Sequence, residues 1–171
     1  MIRQTLNRYF SLSTKNFEKI YKLGQGANCN VYNVISLDNK KLYTCKEYDI
    51  YSKNQVKKEK EMLNMIKTDN DVLPKYYTTI IESDKTWLLT DYIEGSELFN
   101  KYCRQPRNPI LTETTIKPVL NQMIDCIEEC NKNNIIHLDI KPENFIISSY
   151  NDKISLIDFG CSQTFYDKNE L

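Results

Sequence analysis

Glycine and histidine are scarce in this sequence of 171 residues. It contains one histidine, His137, and four glycines, which stand at positions 24, 26, 95 and 160. Because glycine readily adopts left-handed backbone and lets a ligand approach the chain closely, each of so few glycines is expected to serve a specific turn or contact. These five positions indicate where a functional site is to be sought.

An excess of charge of one sign is also lacking, because 23 lysines and arginines balance 23 aspartates and glutamates. This balance indicates no general surface for polyanions, so we expect no nucleic-acid partner. No apolar run approaches the roughly 18 residues that a membrane span needs, and the N-terminus lacks the apolar segment of a secretion signal. We therefore expect a cytoplasmic chain with no membrane partner.

The cysteines do not have the sequence spacing that is typical of zinc ligands. The sequence contains no Cys-x-x-Cys pair, although it has six cysteines: Cys29, Cys45, Cys103, Cys126, Cys130 and Cys161. We expect them to be buried, reduced thiols of an intracellular protein.

The first 17 residues contain Arg3, Arg8 and Lys15 and no acidic side chain. Organellar transit peptides share this composition, but we interpret residues 1–17 as a short leader ahead of the first strand.

The segment "YKLGQGANCNVYNVISLDNKKLYTCKEY", residues 21–48, alternates apolar and polar positions on both sides of two glycines. This pattern predicts a strand, a glycine turn, a second strand and a third strand that ends at Lys46. Gly24 and Gly26 would let backbone N–H groups approach a phosphate. Taken alone, the same pattern is also typical of a simple hairpin turn.

Helical spacing follows in "NQVKKEKEMLNMIK", residues 54–67. One face of this helix carries the apolar residues Val56, Leu63 and Ile66. Glu59 lies on that face, whereas Glu61 is roughly 200° away around the helix. A carboxylate directed inward needs a cation, for which Lys46 is the candidate; the alternative is a solvated Glu59 at the edge of the face.

The next segments predict a buried strand, a connector and two helices. "TWLLTDYIEGSELF", residues 86–99, gives the strand, the connector with Gly95 and the start of a helix. A longer helix is expected over about 112–133 with Thr112 as N-cap. It has one apolar flank to pack inward, with Val119, Met123, Cys126 and Cys130, and a second flank without a partner, with Leu120, Ile124 and Ile127.

"HLDIKPEN" at 137–144, followed by "ISLIDFG" at 154–160, resembles the catalytic and metal loops of eukaryotic-type Ser/Thr protein kinases. The resemblance implies an α+β, protein-kinase-like fold of two lobes. These are an antiparallel β N-lobe with one αC-type helix over 18–90, a hinge at 91–95, and an incomplete, mainly helical C-lobe over 96–171.

The resemblance also implies ATP and Mg²⁺ as cofactors and a role for each motif residue. Lys46 would bridge the α- and β-phosphates and pair with Glu59, while Asp139 would orient the acceptor hydroxyl. Asn144 and Asp158 would hold Mg²⁺. Lys141 matches the Ser/Thr version of the loop, so the expected substrate is a protein with a serine or threonine acceptor.

The expected nucleotide contacts come from the glycine loop, the strands and the hinge. Val31 and Ile146 would enclose the adenine, backbone groups of Asp91 and Ile93 would meet its edge, and Glu97 would reach the ribose. The full expected set is Leu23, Gly24, Gly26, Val31, Thr44, Lys46, Thr90 as gatekeeper, Asp91, Ile93, Glu97 and Ile146.

The sequence departs from the family pattern at several positions. Cys29 replaces the third glycine of the loop, and Thr44 stands where alanine is usual. Leu138 replaces the arginine that pairs with an activation-loop phosphate, so control by that phosphate is not expected. Only eleven residues follow Gly160, which predicts an incomplete lobe that self-associates or binds a second protein.

Three functions are consistent with these motifs. The first is ATP- and Mg-dependent phosphoryl transfer to serine or threonine of proteins, by a minimal or partial kinase. The second is a pseudokinase or decoy that binds a nucleotide or a kinase partner. The third, a small-molecule phosphotransferase, fits less well because its related loop typically lacks "KPEN".

Overall fold

The computed structural model describes residues 12–26, 28–68, 70–102, 104 and 112–165. Its first part is a five-stranded antiparallel sheet in the order β1-β2-β3-β5-β4. The strands are β1 (Phe17–Gln25), β2 (Cys29–Ser36), β3 (Leu42–Asp49), β4 (Tyr76–Ile81) and β5 (Lys85–Asp91). This confirms the expected antiparallel sheet, but β3 does not end at Lys46: it continues to Asp49 because it stays paired with β5.

Helix α1 (Lys53–Met65) follows β3 and packs on the inner face of the sheet. Its apolar face and apolar residues between positions 145 and 159 belong to one hydrophobic cluster, which contains Val56, Leu63, Leu88, Phe145 and Phe159 among others. This cluster extends from the sheet through α1 into the second part of the chain. Burial of its apolar surface therefore stabilises both parts together.

The outer face of the sheet has a separate hydrophobic cluster, formed by Phe17, Val34, Tyr43, Cys45, Ile80, Trp87 and Leu89. Phe17 meets Tyr43 edge to face, with ring centroids 6.0 Å apart. The indole of Trp87 is buried and donates to Glu47 Oε2 at 2.8 Å. The sheet thus has apolar side chains packed on both faces.

The second part combines two α-helices with five short strands among its described residues. Its elements are β6 (Ser96–Glu97), α2 (Leu98–Tyr102), α3 (Glu113–Lys132), β7 (Ile135–Ile136), β8 (Phe145–Ile147), β9 (Ile154–Leu156) and β10 (Gln163–Thr164). The short strands form two small sheets, β6-β8-β9 and β10-β7. Thr112 caps α3 as expected, because its Oγ1 accepts from Thr115 N at 3.3 Å.

The two flanks of α3 differ in exposure as the sequence predicts, except that Met123 and Ile127 are both half-buried. Val119, Cys126 and Cys130 are buried, whereas Leu120 is 48% exposed and Ile124 is 51% exposed. Within the described residues, no helix is long and apolar enough to cross a membrane.

The expectation of buried cysteines is correct for three positions and wrong for two. Cys45, Cys126 and Cys130 are buried, but Cys29 is half-buried and Cys161 is exposed. The difference arises because Cys29 lies at the tip of the β1–β2 hairpin and Cys161 follows the loop at 158–160. Cys103 and residues 1–11 of the leader lie outside the described residues.

Gly95 has the only positive φ among the described glycines, at +153°. A Cβ built on it would lie 2.3 Å from the carbonyl oxygen of Ile147 in β8. The connector after β5 can therefore pass β8 this closely only because residue 95 has no side chain.

We expect Gly95→Ala to lower the free energy of unfolding by about 1–3 kcal/mol, because alanine meets both an unfavourable φ and a backbone clash. Urea denaturation followed by circular dichroism measures this loss. Gly24→Ala is the matched control, since a Cβ there meets no atom within 4 Å. A loss at Gly24 as large as that at Gly95 would contradict this explanation.

Candidate active site

A buried ion pair joins β3 to α1. Lys46 Nζ lies 2.5 Å from Glu59 Oε1, and the other oxygen of Glu59 accepts a hydrogen bond from the Tyr48 hydroxyl. Glu59 is 2% exposed, whereas Glu61 faces solvent beside Lys57. The structure thus places Glu59, and not Glu61, against Lys46.

Asp158 adds a second carboxylate to this pair. Its Oδ1 lies 2.6 Å from Lys46 Nζ and also accepts from Gly160 N at 3.3 Å. Burial opposes the positive charge of Lys46, but the carboxylates of Glu59 and Asp158 outweigh burial and raise its pKa. Burial likewise opposes the charge of Asp158, yet Lys46 lowers the pKa of that carboxyl. Lys46 and Asp158 are therefore held in their charged forms.

His137 organises the loop between β7 and β8 through both ring nitrogens. Its Nε2 lies 2.9 Å from the carbonyl oxygen of Ile157, to which it donates, while Nδ1 accepts from Asp139 N at 3.3 Å. The ring also packs edge to face on Phe159, with centroids 5.0 Å apart. His137 therefore fixes the loop against the segment that carries Asp158.

Asp139, Lys141 and Asn144 form one polar cluster after His137. Lys141 Nζ and Asn144 Nδ2 lie 2.7 Å and 2.9 Å from the same oxygen of Asp139, Oδ2. The hydrogen bond from Lys141 is the main reason that the pKa of Asp139 is lowered. Asp139 is therefore anionic at neutral pH, and its Oδ1 has no hydrogen-bond partner among the described residues.

Two further oxygens at this site are unpaired. Asn144 uses its Nδ2 and Asp158 uses its Oδ1, so Asn144 Oδ1 and Asp158 Oδ2 accept no hydrogen bond within the described residues. Backbone pairing of Ile157 N with Asn144 O, at 2.8 Å, holds the two residues near each other. Amide and carboxylate oxygens are the ligands that Mg²⁺ prefers, so this donor set fits that ion.

Strand register places the expected nucleotide residues around Lys46 on the inner face of the sheet. Val31 is paired with Lys46, and Thr44 is paired with Thr90. Gly24 is opposite Val31, and Gly26 N closes the hairpin tip by donating to Cys29 O at 2.9 Å. The strands thus bring Gly24, Val31, Thr44, Lys46 and Thr90 to one region.

The remaining expected nucleotide residues lie on the connector and β8 or at the rim of the sheet. Glu97 is paired with Ile146 between β6 and β8, and its Oε2 accepts from Asn100 at 2.8 Å. The side chain of Asp91 points away to Lys41, 2.8 Å distant. Leu23 is exposed and Ile93 is half-buried. Their contacts with a nucleotide stay predictions.

Sequence reasoning missed the hydrogen bond of Tyr48 with Glu59 and the positive φ angles of Leu138 and Asp158. Leu138 and Asp158 have φ values of 63° and 68°, which are costly for residues other than glycine and concentrate at functional sites. No local sequence pattern marks them. The alternation of β3 could have found Tyr48, since it lies two positions after Lys46 on the same face.

A comparison with known families decides what this arrangement represents. The family model described as protein kinase domain matches residues 17–171. The chain belongs to the protein kinase domain family. The two-part α+β architecture is accordingly that of a protein kinase, with the sheet and α1 as N-lobe.

Individual kinases are similar over most of this chain. Calcium-dependent protein kinase 5 of Plasmodium berghei is 27% identical over 179 residues, covering 98% of this chain and 31% of that protein. CBL-interacting protein kinase 10 of Oryza sativa subsp. japonica is 26% identical, covering 86% and 33%. A probable serine/threonine-protein kinase of Dictyostelium discoideum is 28% identical, covering 90% and 34%. The chain therefore spans about a third of the length of these curated relatives.

The buried histidine of this kinase site gives a pH prediction. Burial lowers the pKa of His137, so the unfolded chain binds a proton at a higher pH than the folded chain does. The free energy of unfolding should then decrease as the pH falls below about 6.5, the ordinary histidine pKa. His137→Asn should flatten this dependence between about pH 6.5 and 5, because the chain has no other histidine.

Chemical denaturation at a series of pH values measures both slopes. The comparison concerns slopes, so a variant of uniformly lower stability still provides the test. Equal slopes for the two chains would show that His137 is not the group responsible.

Proposed function

We propose that this chain carries out ATP- and Mg-dependent phosphoryl transfer to serine or threonine of proteins. The single observation that carries the proposal is the buried ion pair of Lys46 with Glu59, which lies beside Asp158. Phosphoryl transfer depends mainly on positioning and on stabilising negative charge. A cation held at a fixed point by two carboxylates is suited to that task.

Lys46 is the proposed contact for the nucleotide phosphates. Its ammonium group stays charged because Glu59 and Asp158 raise its pKa. Glu59 holds the lysine from α1, so the ammonium remains in place when a phosphate approaches. The inner-face residues Val31 and Thr44, adjacent to Lys46 on the sheet, would then contact the base.

Asn144 and Asp158 are the proposed ligands of Mg²⁺, through the two unpaired oxygens at 144 and 158. When bound, this ion would neutralise negative charge on the phosphates. The residues themselves contribute a fixed carboxylate and a fixed amide, since His137 and the backbone of Ile157 hold both segments.

Asp139 is the proposed partner of the acceptor hydroxyl. Its Oδ2 is occupied by Lys141 and Asn144, so Oδ1 is the oxygen left to accept from a substrate. Because its pKa is lowered, Asp139 acts first by orienting the hydroxyl. Lys141 Nζ lies 2.7 Å from Oδ2 of this carboxylate. Because Lys141 matches the Ser/Thr version of the loop, the proposed acceptor is a serine or threonine.

Asp139→Asn should lower the transfer rate by about 10²–10⁴-fold, because the amide keeps the shape and cannot accept the proton. The affinity for MgATP should stay nearly unchanged. Transfer of labelled phosphate to a protein substrate, with identification of the phosphorylated amino acid, and calorimetric titration of MgATP measure these two effects. Asp84→Asn, an exposed aspartate in the β4–β5 turn, is the matched control.

The outcomes separate the candidate functions. Nucleotide binding without transfer in the unmodified chain would identify a binding module rather than an enzyme. Phosphotyrosine as the main product would contradict the role given to Lys141.

In Asp158→Ala, ATP should bind equally well with and without Mg²⁺. A metal dependence that persists in this variant would show that Asp158 is not a ligand of the metal.

We further propose that a second copy of this chain covers the exposed flank of α3. Leu120 and Ile124 lie one helical turn apart on this flank. Ile127, three residues after Ile124, lines a groove of about 290 Å³ together with Ile136, Leu138 and Ile140. Exposed apolar patches of this kind typically mark interaction sites.

Charge on α3 favours a symmetric antiparallel pair. If two copies of α3 pack about a twofold axis so that Leu120 meets the second copy's Ile124, Lys117 comes within one residue of the second copy's Glu128. Both charges are exposed. Two pairs of opposite charge, each of Lys117 with the second copy's Glu128, therefore form across the axis.

We expect the isolated chain to associate at micromolar concentration, and Lys117→Glu to weaken that association. The double variant with Glu128→Lys should restore it, because the charges are then exchanged. Sedimentation and light scattering measure the state of each chain, with Lys53→Glu on α1 as the control for the charge change. A monomeric unmodified chain, or a double variant no better than Lys117→Glu, would rule out this arrangement.

A further inference from the structure

Tyr48 contacts the central ion pair from the same strand as Lys46. The two residues lie two positions apart in β3, so their side chains point to the same face of the sheet. Tyr48 is 6% exposed, and its hydroxyl donates to Oε2 of Glu59. Lys46 occupies Oε1 of the same carboxylate. Residues from one strand therefore hold both oxygens of Glu59.

The Tyr48 hydroxyl is the sole donor to Glu59 Oε2 among the described residues. Glu59 is almost completely buried, so water does not replace a lost donor at this oxygen. A buried carboxylate oxygen without a partner is costly. Without the hydroxyl, the inward position of Glu59 would lose stability relative to an outward position reached by a shift of α1.

The phenol of Tyr48 keeps its proton under ordinary conditions. Burial and the carboxylate of Glu59 both raise the pKa of Tyr48. The hydroxyl therefore stays a hydrogen-bond donor to Glu59 at neutral pH.

We infer that Tyr48 is a positioning residue that holds Glu59 in the orientation in which it pairs with Lys46. The inference deepens the proposed function and rests on the role given there to Lys46. The contact that maintains the inward position of Glu59 comes from β3, within the N-lobe.

The same strand supplies a matched control. Tyr43 is 2% exposed, and its hydroxyl accepts from Asn39 Nδ2 at 3.2 Å. It lies on the outer face of the sheet, in the cluster that also contains Trp87. Tyr43→Phe and Tyr48→Phe therefore each remove one buried hydroxyl from β3, but only the second removes a contact with Glu59.

Tyr48→Phe should weaken MgATP binding by about fivefold to tenfold, because part of the chain then has Glu59 away from Lys46. Tyr43→Phe should leave the affinity within about twofold of the unmodified chain. In a Glu59→Gln background, Tyr48→Phe should cause no further loss, since Tyr48 acts through that carboxylate. Calorimetric titration of MgATP measures the unmodified chain and the four variants.

An affinity of Tyr48→Phe equal to that of the unmodified chain would overturn the inference. So would an equal loss from Tyr48→Phe with and without Glu59→Gln, because the hydroxyl would then act independently of the carboxylate. A loss in Tyr43→Phe as large as in Tyr48→Phe would indicate a general packing effect and would equally reject a positioning role.

A measurement without nucleotide separates this inference from the proposed function. Amide hydrogen exchange of α1 should be faster in Tyr48→Phe than in Tyr43→Phe, since only the first loosens α1 from β3. Absence of phosphoryl transfer or of MgATP binding in the unmodified chain would refute the proposed function and leave this comparison interpretable. Equal exchange of α1 in the two variants would refute the positioning role itself.

Discussion

The buried ammonium group of Lys46 is the constraint on which the arrangement of this protein depends. A cation removed from water requires nearby negative charge, and here that charge comes from Glu59 on α1 and Asp158 after β9. One charge on β3 therefore draws together the helix that follows this strand and a segment that lies 112 residues further along the chain. The apolar cluster that contains Leu63 and Phe159 keeps water away from this site. The charge of Lys46 therefore has to be paired with carboxylates.

A second group of contacts fixes the loop between β7 and β8, and most of them involve the backbone. His137 and Asn144 both reach residue 157, one through a ring nitrogen and one through its carbonyl oxygen. Asp139 is oriented by the ring of His137 and by the amide of Asn144. The described residues of this loop are therefore positioned relative to Asp158 without a salt bridge between the two segments.

Much of the fold and the site could be predicted because local patterns and known motifs mark them. Helical periodicity distinguished Glu59 from Glu61, and strand alternation located the sheet. The extension of β3 beyond Lys46 depends on pairing with β5, which no local pattern specifies. Strand β4 was not predicted, although its "YYTTII" run has strand composition. The role of Tyr48 was missed because its partner lies on a separate helix, and lobe boundaries and nucleotide contacts stay predictions.

The two-sided packing of the sheet has a practical consequence for optical work on this protein. Trp87 is the only tryptophan of the chain, and it lies in the outer cluster on the face of the sheet opposite Lys46. Its indole contacts Glu47 and lies near Lys19 rather than near the residues proposed to contact a nucleotide. Tryptophan fluorescence should therefore report loss of the sheet and respond little to occupation of the proposed nucleotide site, so the emission of this single indole separates unfolding from ligand binding.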